Sequence, residues 1–220
     1  MTEMEKNLRD LEEWFKMNPT EGAAYAFQKQ LLEEEMAREA GQAQAPTGGT
    51  TPPPDTATSK PSPSAEELHN QGFAAEKAGD YAKAAELYRK AAELGHSGAQ
   101  FKIGKLYYRG KGFPQDYAKA VEWYRTAADQ GYAPAKHSLG FCYEKGNGVP
   151  QDYAKAVEWY RMAADQGYFL ALHSLGLCYE NGKGVPQDYA KAAEWYRKAA
   201  DQGDAEASIK LDALKQKGLI

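Results

Sequence analysis

Apolar side chains in the segment 117–128 fall at Tyr117, Ala120, Val121, Tyr124, Ala127 and Ala128, steps of three and four that place all six on one helical face. Asp116 precedes this stripe at the N-cap position, and Gly131 follows it where a left-handed C′ residue ends a helix. The stretch between this helix and the one before it, Gly-x-Gly-x-Pro-Gln-Asp, supplies a helix stop, a turn and a proline that blocks helical continuation. The pattern therefore predicts a helix–loop–helix unit.

That unit repeats. GFPQDYAKAVEWYRTAADQGY at 112–132 returns as GVPQDYAKAVEWYRMAADQGY at 148–168 and as GVPQDYAKAAEWYRKAADQGD at 184–204, an offset of 36 residues each time. Ahead of each copy the same spacing links Gly104, Gly140 and Gly176, then Tyr107, Tyr143 and Tyr179. Gly104 and its equivalents fall inside the first helix, where glycine costs about 1 kcal/mol relative to alanine. Close approach of the paired helix is the expected reason. Trp123, Trp159 and Trp195 are apolar bodies that one helix pair cannot bury, so stacking of the next unit is expected to cover them.

These residues resemble the Sel-one-like repeat, a longer relative of the tetratricopeptide repeat: LG-x-x-Y-x-x-G-x-G-V-P-x-D-x-x-K-A-x-x-W-Y-R-x-A-A-D-Q-G recurs over 101–204. The resemblance implies an all-α, right-handed α-solenoid of helix–turn–helix repeats. Residues 65–100 read as a shorter, tetratricopeptide-like variant. Gly72, Ala84, Tyr88 and Ala91 are spaced 12, 4 and 3, whereas Gly104, Ala120, Tyr124 and Ala127 are spaced 16, 4 and 3, a four-residue loop difference. The expected units are 65–100, 101–136, 137–172 and 173–204, followed by a capping helix at 205–220. In that cap Leu211 keeps the inward position of Leu139 and Leu175, while Gly140 and Tyr143 give way to Asp212 and Lys215.

Charge separates the N-terminal part from the repeats. Residues 1–42 hold five Lys/Arg against ten Asp/Glu, and residues 65–220 hold 21 against 20. Residues 41–64 carry six of the eleven prolines and no Leu, Ile, Val or aromatic residue, the composition of a flexible, partly polyproline linker. Before it, Leu8, Leu11, Trp14 and Phe15, then Tyr25, Phe27, Leu31, Leu32 and Met36, predict a separate acidic helical arm over 1–40, with Thr20 as an N-cap. Docking of this arm on the repeats, in its own or a neighbouring molecule, and a tail without a defined partner stay open as readings.

Composition narrows the function classes. The near-neutral totals of the repeats force no strongly basic face, so nucleic acid is not the expected partner. No window approaches an apolar membrane span, and the acidic start lacks a signal-peptide core, so a cytoplasmic protein is expected, with signal-independent export as the alternative. Cys142 and Cys178 are too few for a disulfide framework and share one column about a repeat apart, which predicts buried thiols. His137 with Cys142, and His173 with Cys178, lie five residues apart and point in different directions, so neither pair chelates one ion. No catalytic motif, metal set or cofactor requirement is present, and the Gly-x-Gly turns follow a helix and lack the Gly-Lys-Ser/Thr of a phosphate loop.

Tetratricopeptide-type arrays present first helices on the concave side, so the resemblance implies a partner-binding groove lined by Phe73, Lys77, Phe101, Lys105, Tyr108, Arg109, His137, Phe141, Lys145, His173, Leu177 and Asn181. These columns vary from unit to unit while the second helices hardly change, which suits a non-uniform ligand; unconstrained surface is the plainer alternative. The expected function is a non-enzymatic scaffold holding a protein or peptide, its apolar residues on Phe73, Phe141 and Leu177 and its carboxylates on the cations. A self-associating or autoinhibited module is the alternative. A small-molecule hydrolase, an activity attributed to cysteine-rich relatives, is a third reading that the lack of paired cysteines counts against. The low-drift repeats suit a bacterial source.

Overall fold

The computed structural model describes residues 62–220 together with Arg9. The expected arm and almost all of the expected linker lie outside the described residues. The linker's last residue has a definite structural role: the Ser64 hydroxyl accepts from the Glu67 N–H while the Glu67 carboxylate accepts from the Ser64 N–H, a reciprocal capping box that starts the first helix.

The described residues from Ala65 onward form nine helices and no strand. They are α1 (Ala65–Lys77), α2 (Tyr81–Glu93), α3 (Ser97–Arg109), α4 (Tyr117–Asp129), α5 (Ala133–Lys145), α6 (Tyr153–Ala164), α7 (Phe169–Asn181), α8 (Tyr189–Ala200) and α9 (Ala205–Gln216). Each packs on its neighbours in sequence, tightest within the pairs α1–α2, α3–α4, α5–α6 and α7–α8, so the array is a stack of helix pairs.

Local chemistry accounts for these boundaries. Asp116, Asp152 and Asp188 cap α4, α6 and α8 by accepting from the N–H three residues on. Asp80 does the same for α2. Gly110, Gly146 and Gly182 end α3, α5 and α7 in the left-handed conformation. The α1–α2 connection is residues 78–80, whereas the later ones are 110–116, 146–152 and 182–188, four residues longer, as the spacing predicts.

Small residues set the packing distance. Ala84, Ala91, Ala99, Ala120, Ala127, Ala135, Ala163 and Ala199 are wholly buried, and Tyr88, Tyr124, Tyr160 and Tyr196 are buried between them. Gly104 and its equivalents meet these tyrosine rings: a Cβ on Gly140 would lie 2.6 Å from Cδ1 and Cε1 of Tyr160. The interior glycine thus makes room for an aromatic ring of the paired helix. Between units, Gly148 in its left-handed turn is pressed against the Tyr117 carbonyl at the start of α4, where a side chain would overlap backbone.

Two expectations need adjusting. Trp123, Trp159 and Trp195 are only half-buried, each lying against a core that includes residues of the preceding pair. Stacking covers part of each indole, and the Lys198 ammonium lies over the Trp195 ring, 4.2 Å from its centroid. The array does end in α9, where Leu211 and Leu214 are buried and Asp212 and Lys215 pair on the outer side at 3.2 Å, but Ile209 stands 68% exposed in that cap. Cys142 and Cys178 are free, buried thiols.

Candidate functional site

The first helix of each pair carries the variable columns, and between α3 and α5 they enclose a hollow of about 250 Å³. From α3 it is lined by Phe101, Lys105, Tyr108 and Arg109, and from α5 by His137, Ser138 and Phe141. Tyr124 of α4, Tyr168 and Leu170 complete the wall. Six of the predicted groove residues therefore meet in one place.

The hollow has apolar walls and a cationic rim. Phe101 packs on Tyr124 and Tyr132 with centroids 5.7 and 5.4 Å apart, and Tyr108 leans toward Phe141 at 6.3 Å. Phe141 stays exposed. Among the described residues neither Lys105 nor Arg109 forms an ion pair; the Lys105 ammonium instead lies 5.7 Å from the Phe101 centroid. Burial and the like charges of Arg109 and Lys102 hold Lys105 below the usual lysine range, with Glu76 pulling weakly the other way. Burial likewise pushes His137 down to about 4, so at neutral pH its imidazole is uncharged; its Nε2 sits 3.2 Å from the Ser174 hydroxyl.

The other predicted residues have different surroundings. Phe73 is exposed on α1 with the Lys77 and Lys102 ammoniums 5.2 and 4.8 Å from its ring, a second apolar spot flanked by cations. Lys145 pairs with Glu144 at 2.8 Å and lies 5.5 Å from the Phe141 centroid. Leu177 packs against the α6–α9 core, and Asn181 donates to the Leu177 carbonyl of its own helix. His173 is buried, with Nδ1 2.8 Å from the Asp204 carboxylate that caps α9. It joins α7 to α9.

One further cluster holds ligand-type atoms. Glu66, His69 and His96 bring one donor atom each within 4.8 Å of one another, and the His69 and His96 rings stack at 4.4 Å. His96 Nδ1 accepts from the Ala99 N–H as the N-cap of α3, which leaves the ring proton on Nε2, 2.9 Å from Glu66 Oε2. The lone pair a metal would need from Nε2 is thereby committed to a proton, so the trio reads as a helix cap braced across two repeats.

The pairing of helices and the buried glycine–tyrosine contacts recur in every repeat, the Gly-x-Gly-x-Pro turns in the last three, and a family model matches the same residues. It is the Sel1 repeat, found at 65–96, 97–132, 133–168 and 170–204. The chain belongs to the Sel1 repeat family. The model takes in 65–96 as well, so the shorter unit is a Sel1 repeat in its own right.

Solved structures agree. A protective antigen of uropathogenic Escherichia coli with this repeat fold is 39% identical with a TM-score of 0.67, covering 70% of this chain and 34% of the antigen. A Sel1 repeat protein from Oxalobacter formigenes is 31% identical with a TM-score of 0.65, covering 68% of this chain and 63% of that one. The chain thus spans less than two thirds of either relative. No curated protein matches. Among the described residues, no helix of this Sel1 array is long and apolar enough to cross a membrane.

Comparing the four Sel1 repeats shows what single-column reading missed. Tyr124, Ser138, Tyr168 and Leu170 line the hollow although none was a predicted groove residue. Tyr132 and Tyr168 hold the place where the last repeat has Asp204 and the first has His96, and each faces the variable position of its own repeat's first helix: Phe101–Tyr132, His137–Tyr168. The signal was present in the sequence as the variable residue that follows the constant glycine of each turn, Gly95, Gly131, Gly167 and Gly203.

Proposed function

We propose that this protein is a non-enzymatic interaction scaffold that holds a protein or peptide segment along its first helices, with the hollow between α3 and α5 as the principal anchor. The observation that carries this reading is one apolar concavity bordered by two cations, Lys105 and Arg109, that have no ion-pair partner among the described residues. Exposed Phe73 and Phe141, each beside lysines, extend the same chemistry over neighbouring repeats. Apolar side chains flanked by carboxylates are what such a strip would recognise. Buried thiols and a half-buried, neutral histidine bonded to a serine hydroxyl on a different repeat form no nucleophile–base–orienter arrangement, which supports binding rather than catalysis.

A photo-crosslinking residue placed at Phe141, against one placed at the exposed Met162 of α6, tests this directly. Adducts with a partner protein from position 141 and none from 162 are expected; adducts chiefly from 162 would overturn the groove.

The charge of residues 1–42, five Lys/Arg against ten Asp/Glu, favours a second reading in which this acidic arm occupies the cationic hollow of its own or a neighbouring molecule. Light scattering of the full chain against a chain starting at Ala65 separates them: fewer subunits on truncation supports the arm as an assembly device, and an equal number of subunits argues against that role.

A further inference from the structure

Three of the four Sel1 repeats close the space over their buried tyrosine with a carboxylate of their own. Tyr88 donates to Glu76 at 2.6 Å, Tyr160 to Glu144 at 2.8 Å and Tyr196 to Glu180 at 2.5 Å. In the first and last of these a lysine from the next first helix completes the group, Lys102 on Glu76 at 2.8 Å and Lys210 on Glu180 at 3.3 Å. The second repeat alone lacks the carboxylate. Tyr108 stands where the others have glutamate, and the lysine position over it is Ser138, as it is Ser174 over the third repeat. The hydroxyl of Tyr108 is turned to Asn147, which donates to it at 2.7 Å.

The consequence is a group without its counter-group. The Tyr124 hydroxyl has no hydrogen-bond partner among the described residues, and it opens on the hollow close enough to Arg109 to feel its charge. Small Ser138 leaves the floor open, and Lys105 and Arg109 stand at the rim with no ion pair. A tyrosine hydroxyl without a partner and two unpaired cations at one hollow share one need, an anionic acceptor.

We propose that the hollow is a carboxylate socket, in which an acidic side chain of a partner protein takes the place that Glu76, Glu144 and Glu180 occupy in the other repeats. It accepts from the Tyr124 hydroxyl, neutralises Arg109 and Lys105, and is flanked by an apolar side chain seated on Phe101 and Phe141. The occupant is thus a segment in which Glu or Asp lies next to a large apolar residue. This inference rests on the groove reading above and specifies what the groove selects.

The test uses the full chain and a pair of peptides alike in shape, acetyl-Leu-Glu-Phe-amide and acetyl-Leu-Gln-Phe-amide, titrated while NMR resonances of Arg109, Ser138 and the Tyr124 ring are followed. The Glu peptide is expected to bind about tenfold or more tightly than the Gln peptide. Tyr124→Phe, which keeps the buried ring, and Arg109→Ala, at the exposed end of α3, should each erase most of that difference. Tyr108→Glu would place a carboxylate where the other repeats have one, and should close the socket to the Glu peptide while leaving the fold and its thermal transition intact. Equal binding of the two peptides, with Phe141→Ala weakening both, rejects the socket and leaves the groove standing. Binding of neither peptide, together with no adduct from position 141, rejects the groove as well. A Tyr124 ring that ignores both peptides in the full chain, yet responds to the Glu peptide once Glu33, Glu34 and Glu35 of the arm are replaced by glutamine, shows that residues 1–40 fill the socket, and overturns the partner protein as its occupant.

Discussion

Gly140 faces the ring of Tyr160 so closely that a methyl group in place of its hydrogen would stand 2.6 Å from two ring carbons and 3.1 Å from the Ala156 carbonyl. Alanine is the better helix former by about 1 kcal/mol, so propensity alone favours the substitution. Here the overlap dominates, because the ring is fully buried and a backbone oxygen closes the other side. Gly140→Ala should lower stability by about 1–3 kcal/mol in urea unfolding. Gly131→Ala makes a useful contrast: nothing lies near that site, but its φ is +88°, and the expected loss is about 1 kcal/mol from backbone strain alone.

The aspartate caps should behave additively. Asp152→Ala removes the acceptor for the Lys155 N–H at the start of α6 and should lower the urea midpoint. Asp116 and Asp188 hold the same place in their own repeats and share no contact with it, so the triple variant should lose about three times as much. A loss well short of this sum would show that unfolding proceeds repeat by repeat rather than in one transition.

Acid should destabilise the array in two stages. Burial holds His137 at about 4 in the folded protein against 6.5 for an ordinary histidine. The unfolded chain therefore binds the extra proton between these values, so this contribution to stability is full above pH 6.5 and is lost as pH falls toward 4. The cost is on the order of 2–3 kcal/mol. His137→Phe, which copies Phe101 of the preceding repeat, should flatten the stability profile in that window. Below it a second loss sets in. Burial pushes the Glu144 carboxyl up, but Lys145 and the Tyr160 hydroxyl outweigh it and hold the group below the usual carboxylate range. Its contribution is present above the unfolded value and disappears as pH drops through the folded one. Chemical denaturation from pH 7 to 3, with wild type and variant in parallel, checks both stages.

Cys142 and Cys178 should be silent toward thiol reagents in the native protein. Burial pushes each thiol up to about 12, which reduces the thiolate fraction on the order of a thousandfold relative to a free cysteine. Titration with a chromogenic disulfide at pH 8 should detect little until denaturant is added and two thiols thereafter. Rapid native reaction would mean that the pair α5–α6 or α7–α8 opens locally.

Much of this architecture is legible in the sequence because it is written three times. A single copy of Tyr-x-x-Ala-Val-x-x-Tyr is an ordinary amphipathic stripe; the 36-residue recurrence of stripe, Asp cap and Gly-x-Gly-x-Pro turn leaves no other element assignment. The close-approach glycines follow from the same recurrence, since an unfavourable residue repeated inside a helix calls for a packing reason. Burial of the tryptophans is overstated by this reasoning, because periodicity tells which face points inward and not how far the neighbour extends over it. Among the groove columns, Phe101, Lys105, Tyr108, Arg109, His137 and Phe141 converge on one hollow, while His173 is buried on Asp204. One column holds both kinds of histidine, and only the residue across the interface, Tyr168 in one case and Asp204 in the other, distinguishes them.

The sequence by itself determined the helix pairs, their caps, their loop lengths and the order in which they stack, because each depends on residues a few positions apart in the chain. Only the tertiary structure decided where the array is open. The hollow at α3 and α5 lies where Tyr108 replaces the glutamate of the other repeats and where Ser138, thirty residues on, adds only a small side chain, so that Tyr124, Lys105 and Arg109 have no carboxylate partner among the described residues. Periodicity records what each repeat shares with the others. A binding site here arises from what two adjoining repeats fail to share, and that becomes a physical fact only when their side chains meet across a contact.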